Sequence, residues 1–166
     1  MRNEKPMDFE ELKERVAQAK MSGVDLSTEE DLSIAVMNLL SLEEHFFFTG
    51  AKTEKSEYYN LLNETREIRK VLLARMIQKT EGESWCISKH LLATVMRLME
   101  VGAKLQADGK RDLAEETFGF AYKIYNLFFA LRLKIIKTSD VPDMIKKEKP
   151  MSLDDIMKNL VDCCKE

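Results

Sequence analysis

The sequence predicts an all-α protein, an antiparallel four-helix bundle from two duplicated helical hairpins, plus a short helix at each end. Three observations carry this. Apolar residues recur at helical spacing over four long stretches joined by short breaks. Only 6 Gly and 3 Pro punctuate a chain rich in Met, Leu, Lys and Glu, which favours helix. Residues 32–77 also fall on 91–136 without a gap when shifted by 59 positions. In that register Leu32 meets Leu91, Val36 meets Val95 and Gly50 meets Gly109. Tyr59 meets Phe118, Met76 meets Ile135 and Ile77 meets Ile136. Short turns between neighbours favour up-down packing.

The elements follow in order. Phe9, Leu12, Val16 and Ala19 space a first helix over 8–21, which Ser22-Gly23 ends. Ser27 with Glu30 reads as a capping box opening a second helix, about 28–48, broken at Thr49-Gly50. A third helix covers about 54–79, with Tyr58, Leu61, Leu62, Ile68, Leu72 and Met76 as its apolar stripe. Ser84 is placed to cap a fourth, about 85–107, and Asp108-Gly109 is a turn signal. The fifth covers about 111–138, before Pro142 interrupts the chain. A polar linker, about 139–151, leads to a C-terminal amphipathic helix, about 152–165, with Leu153, Ile156, Leu160 and Val161 on one face.

A chain of 166 residues reads as a single domain, 1–166, with its core bundle at about 28–138. The net charge of -3 gives no bulk argument for nucleic acid or an acidic membrane. Cys86, Cys163 and Cys164 form no disulfide framework, and an odd count fits a reducing, cytoplasmic location. Met1 to Glu10 has no apolar signal core. The greasiest stretch, Phe118 to Ile136, carries Lys123, Arg132 and Lys134, so it reads as a buried helix and not a membrane span.

Within residues 98–121, Gly102, Leu105, Gly109, Ala114, Phe118 and Ala121 follow a small–large–turn–small–aromatic–small spacing. That stretch resembles a single tetratricopeptide-like helical hairpin, which implies closely packed helices and, in arrays, a peptide groove. The first hairpin departs from the pattern, with Glu43 in place of Gly102 and Leu62 in place of Ala121. A tetratricopeptide array also needs about three units to close its core. The run Gly109 to Phe129 is similar to the helical HEPN fold of nucleases and nucleotidyltransferase partners. The catalytic pattern of that family, an arginine followed closely by a histidine, is missing before both His45 and His90.

The internal comparison singles out Arg66 and Arg69, because their counterparts in the second copy are Tyr125 and Phe128. Guanidinium groups at core-facing positions must be paired, and Glu43, Glu44, Glu100 and Glu116 are the candidate partners. The functional reading is an anion or carboxylate site, and the structural reading is internal ion pairing. His45 lacks the Glu-x-x-His phasing of a dimetal bundle, and Cys86 with His90 supplies only two of the four ligands of a structural zinc site. No metal or cofactor is expected. Phe46, Phe47 and Phe48 span almost a full turn and cannot all face one core. With Trp85, Met96 and Met99 they read as helices buried on several sides or, functionally, as an interface with a partner or a second subunit. Lys52, Lys55, Lys110 and Arg111 flank the turns, where basic charge could hold phosphate groups, but acidic neighbours favour a solvated loop.

No phosphate-cradling glycine loop, nucleophile elbow or paired-cysteine zinc motif is present. The leading expectation is therefore a non-enzymatic protein-interaction or scaffold module, with a homodimer or protein partner. One alternative is a ligand- or nucleotide-binding bundle that recognises an anionic group with Arg66 and Arg69. Another is a HEPN-like accessory protein associated with RNA or a nucleotidyltransferase.

Overall fold

The computed structural model describes residues 9–21, 23, 25–77 and 82–138, with the side chains of 9–13 and 20 also set aside. Among these residues there are five helices and no strands: α1 (Phe9–Met21), α2 (Leu26–Thr53), α3 (Glu57–Met76), α4 (Glu83–Ala107) and α5 (Arg111–Arg132). The expected linker, the C-terminal helix, Cys163 and Cys164 lie outside the described residues, as do the side chains of Phe9 and Leu12. Helices α2 and α3 fold back as one hairpin and α4 and α5 as another, and the hairpins meet along α2 and α4. The protein is an all-α bundle.

Several boundaries differ from the sequence reading, each for a local reason. The cap of α2 is Asp25, two residues before Ser27, and its carboxylate accepts from the Ser27 and Thr28 N–H groups. An aspartate is as good a cap as a serine, and Ser27 then falls inside the first turn. Gly50 does not end α2. It lies within the helix, buried, where an added Cβ would stand 2.9 Å from the Tyr59 ring. The turn is made instead by Glu54, held at φ 57. Gly109 does make its turn, at φ 77, with the Lys110 and Gly109 N–H groups returning to Leu105 and Gln106. The two glycines matched by the 59-residue shift thus do different jobs.

Helix α4 starts at Glu83 after Gly82, so Ser84 is not its cap. Helix α5 ends at Arg132 and not near Thr138, because Lys134 turns left-handed at φ 57. The Ile135 and Ile136 N–H groups then both reach the Ala130 carbonyl, which tucks both side chains into the core.

That core sits at one end of the bundle. Val36, Met37, Leu73, Met76, Leu92 and Val95 surround the second half of α5, where six consecutive residues from Asn126 to Leu131 are buried. A helix buried on every side is a central helix. Val16 and Ala19 of α1 pack against the cluster, and the Arg15 guanidinium donates to the Ile135 carbonyl at 3.1 Å. Polar pairs also tie this end. Glu29 accepts a two-pronged hydrogen bond from Arg132 at 2.7 and 2.8 Å. Ser33 donates to the Glu30 carbonyl, leaving the Tyr125 hydroxyl to donate to Ser33 at 2.6 Å.

The hairpin tips are built differently. Over 44–64 and 99–118 the only buried residues are Gly50, Gly102 and Ala114. There the helices approach through small residues: a Cβ on Gly102 would meet the Phe118 ring at 2.5 Å. This is the close packing that the tetratricopeptide-like spacing implies for α4 and α5. Phe47, Phe48, Leu61, Met99, Leu113 and Phe120 remain exposed around it.

Candidate functional site

The site begins with the face that α3 turns inward. Its buried positions are Thr65, Arg69, Leu73 and Met76, so a guanidinium stands among core side chains. Leu61 and Ile68, expected on the apolar stripe, face outward instead, with Ile68 55% exposed. The stripe shifts because Leu73 and Met76 set the helix phase and carry Arg69 with them. The Arg69 side chain is only 6% exposed, which obliges it to find a counter-charge.

Glu43 of α2 supplies it. Arg69 Nε donates to Glu43 Oε1 at 2.6 Å and Arg69 Nη2 donates to Oε2 at 3.3 Å. Arg66, one turn earlier on α3, donates through Nε to the same Oε2 at 3.1 Å. Of the four glutamates weighed from sequence, one thus serves both arginines. Glu44 turns the other way, to Arg97 at 3.5 Å, and Glu100 and Glu116 are exposed. The Glu43 carboxylate is buried and fully engaged, whereas the Arg66 side chain is 46% exposed and its terminal nitrogens have no partner among the described residues.

These groups form one wall of a cleft of about 640 Å³ between α3 and α4, over α2. Leu40 and Glu43 come from α2; Arg66, Arg69 and Lys70 from α3; Trp85, Lys89, His90 and Ala93 from α4. Trp85, Lys89 and Ala93 are spaced by four, which places them on one face of α4. Four cations line the cleft, and two carboxylates answer them: Glu43, and Glu67, which binds Lys70 at 2.5 Å. Lys89 forms no ion pair among the described residues, and the Trp85 indole N–H has no acceptor there. The walls therefore present hydrogen-bond donors, and the one lining carboxylate is already occupied. Trp85 also packs against the core cluster, which makes it a firm wall.

The structure brings Arg66, Arg69 and Trp85 together, although the sequence placed Trp85 with the phenylalanines. Phe47 and Phe48 lie elsewhere, exposed and edge to face at 5.2 Å, while Phe46 sits 6.5 Å from the Tyr58 ring. Sequence reasoning missed Lys70 and Lys89. Only the i, i+4 spacing of Lys89 from Trp85 pointed to it, and that signal has no force until the facing helix is known. Cys86 is exposed and His45 is exposed on α2. Among the described residues no group of three or more His, Cys, Asp or Glu side chains is placed to hold a metal ion, and no helix is long and apolar enough to cross a membrane. No family model matches the chain, and no curated protein or solved structure matches it.

Proposed function

We propose that this protein is a non-enzymatic helical bundle that binds a small anionic ligand in the cleft between α3 and α4. One observation carries the reading. A buried carboxylate already satisfies Arg69, yet the cleft still presents the terminal nitrogens of Arg66, the Lys89 ammonium and the Trp85 N–H. Were the arginines there only to satisfy Glu43, Arg69 alone would suffice, since it binds both carboxylate oxygens. The surplus is all donors, and an anion is the ligand made only of acceptors. A cleft of this size suits a small molecule.

The test is calorimetric titration of the full chain with inorganic phosphate and with citrate at low salt. Binding by the wild type, weakened about ten-fold or more in a folded Arg66→Ala variant, supports the reading. Equal affinity in wild type and Arg66→Ala, or no binding of either anion, removes it. A second reading rests on the exposed Phe47–Phe48 pair and its apolar neighbours, which suit a protein partner or a second copy. Sedimentation of the wild type against Phe47→Ser/Phe48→Ser decides it: a dimer lost in the variant supports self-association.

A further inference from the structure

We infer that the ligand of this cleft is a nucleotide of mononucleotide size, with its phosphate held between Arg66 and Lys89 and its base against Trp85. The inference rests on the anion-binding reading and narrows it.

The argument for phosphate over carboxylate is directional. The donors come from opposite walls: a guanidinium from α3, an ammonium and an indole N–H from α4. A carboxylate offers two oxygens in one plane, and one arginine fork can reach both, as Arg69 does on Glu43. A phosphate group offers three oxygens in a tetrahedral arrangement and accepts from several sides at once. Its charge at neutral pH, near minus two, also answers the four cations and two carboxylates better than a single carboxylate does.

The argument for a ring comes from Trp85. A bare anion uses only the N–H of an indole and leaves its ring surface without a partner. Here Trp85 is held by the core on one side and lines the same cleft as the cations, with Leu40 and Ala93 completing the apolar part of the wall. Such a surface accepts a flat group, and a nucleobase stacks on any aromatic ring whatever its sequence identity. The indole N–H, which has no acceptor among the described residues, can also donate to a ring or sugar oxygen. A volume of about 640 Å³ holds a mononucleotide and leaves the cleft open for entry. The lining does not select one base, so all four belong in the test.

Trp85 is the only tryptophan in the chain, which makes its fluorescence a private reporter of the cleft. The experiment titrates the full-length protein with inorganic phosphate, ribose 5-phosphate and the four nucleoside 5′-monophosphates, following emission and heat. The expected result is that at least one nucleotide binds about five-fold or more tightly than ribose 5-phosphate and quenches Trp85, since base stacking corresponds to at least that factor. Arg66→Ala is expected to weaken phosphate and nucleotide alike, and Trp85→Leu to erase the advantage of the nucleotide alone. If Trp85→Leu does not fold, the wild-type ratio and Lys89→Ala decide. Equal affinity for phosphate, ribose phosphate and nucleotides overturns the nucleotide while leaving the anion site standing. No binding by any of them overturns both. An unphosphorylated RNA oligonucleotide that binds more tightly than every mononucleotide overturns the small-ligand proposal in favour of a strand.

Discussion

At residue scale the protein turns on one carboxylate that answers two guanidinium groups. Their roles are unequal because their burial is unequal: the Arg69 side chain is 6% exposed and the Arg66 side chain 46%. Removing one partner of a buried pair strands the other, at a cost of about 3–5 kcal/mol. Arg69→Ala and Glu43→Gln are therefore expected to lower unfolding free energy by about that much in urea titrations. Arg66→Ala should cost at most about 1 kcal/mol, as exposed pairs do. Equal losses at both arginines would show that exposure does not separate structure from binding here. The sequence did mark these two residues, because aromatics stand 59 positions further on, at Tyr125 and Phe128. It did not choose between Glu43 and Glu44. One residue is a rotation of about 100° around a helix, and only packing sets that phase. The Glu29–Arg132 pair was out of reach for a different reason: 103 positions separate its members, and no local pattern spans that distance.

At the scale of an element, helix ends and crossings carry the tests. The Asp25 carboxyl is held below its ordinary pKa of 3.8, first by the Thr28 hydroxyl and then by the Thr28 backbone N–H. A lowered folded-state pKa adds stability that is present above the unfolded value and lost as pH falls through the folded one. Wild type is thus expected to be more stable than Asp25→Asn at pH 6, with the gap narrowing as pH falls below 3.8, in melts followed by circular dichroism. A gap that does not change with pH would mean that the charge plays no part. The crossing of α4 and α5 offers a second check. Gly102→Ala places a methyl against the Phe118 ring, at a cost of about 1–3 kcal/mol for overpacking, offset by up to about 1 kcal/mol of helix propensity. Phe118→Ala in the same chain is expected to recover the loss. The type and order of the five described helices were legible here, from periodicity and scarce breakers. Ends were less so: Gly50 looked like a stop, yet its missing side chain serves a close approach to Tyr59. Lys134 ended α5 in a left-handed turn that no glycine announced.

For the whole molecule, the division between a packed base and thinly packed tips sets what is stable. Amide exchange is expected to be slowest around Leu92–Val95 and Leu127–Leu131, and faster by orders of magnitude over Phe47–Asn60 and Leu113–Phe118. Uniform protection along α2 and α4 would contradict that division. The bundle itself was readable from sequence; this lopsided core was not. Apolar residues are spread along all four long helices, and only the structure shows that those near the turns stay outside. The position of α5 has a further consequence during synthesis. Chains emerge from the ribosome N-terminus first. Val36, Leu73 and Leu92 leave the tunnel long before Phe128 and Phe129, the two largest fully buried side chains among the described residues. The nascent chain must therefore carry an unfilled hydrophobic socket until α5 arrives. A stall or a premature stop anywhere before Leu127 leaves that socket open, as a substrate for chaperones and proteases rather than a smaller stable protein.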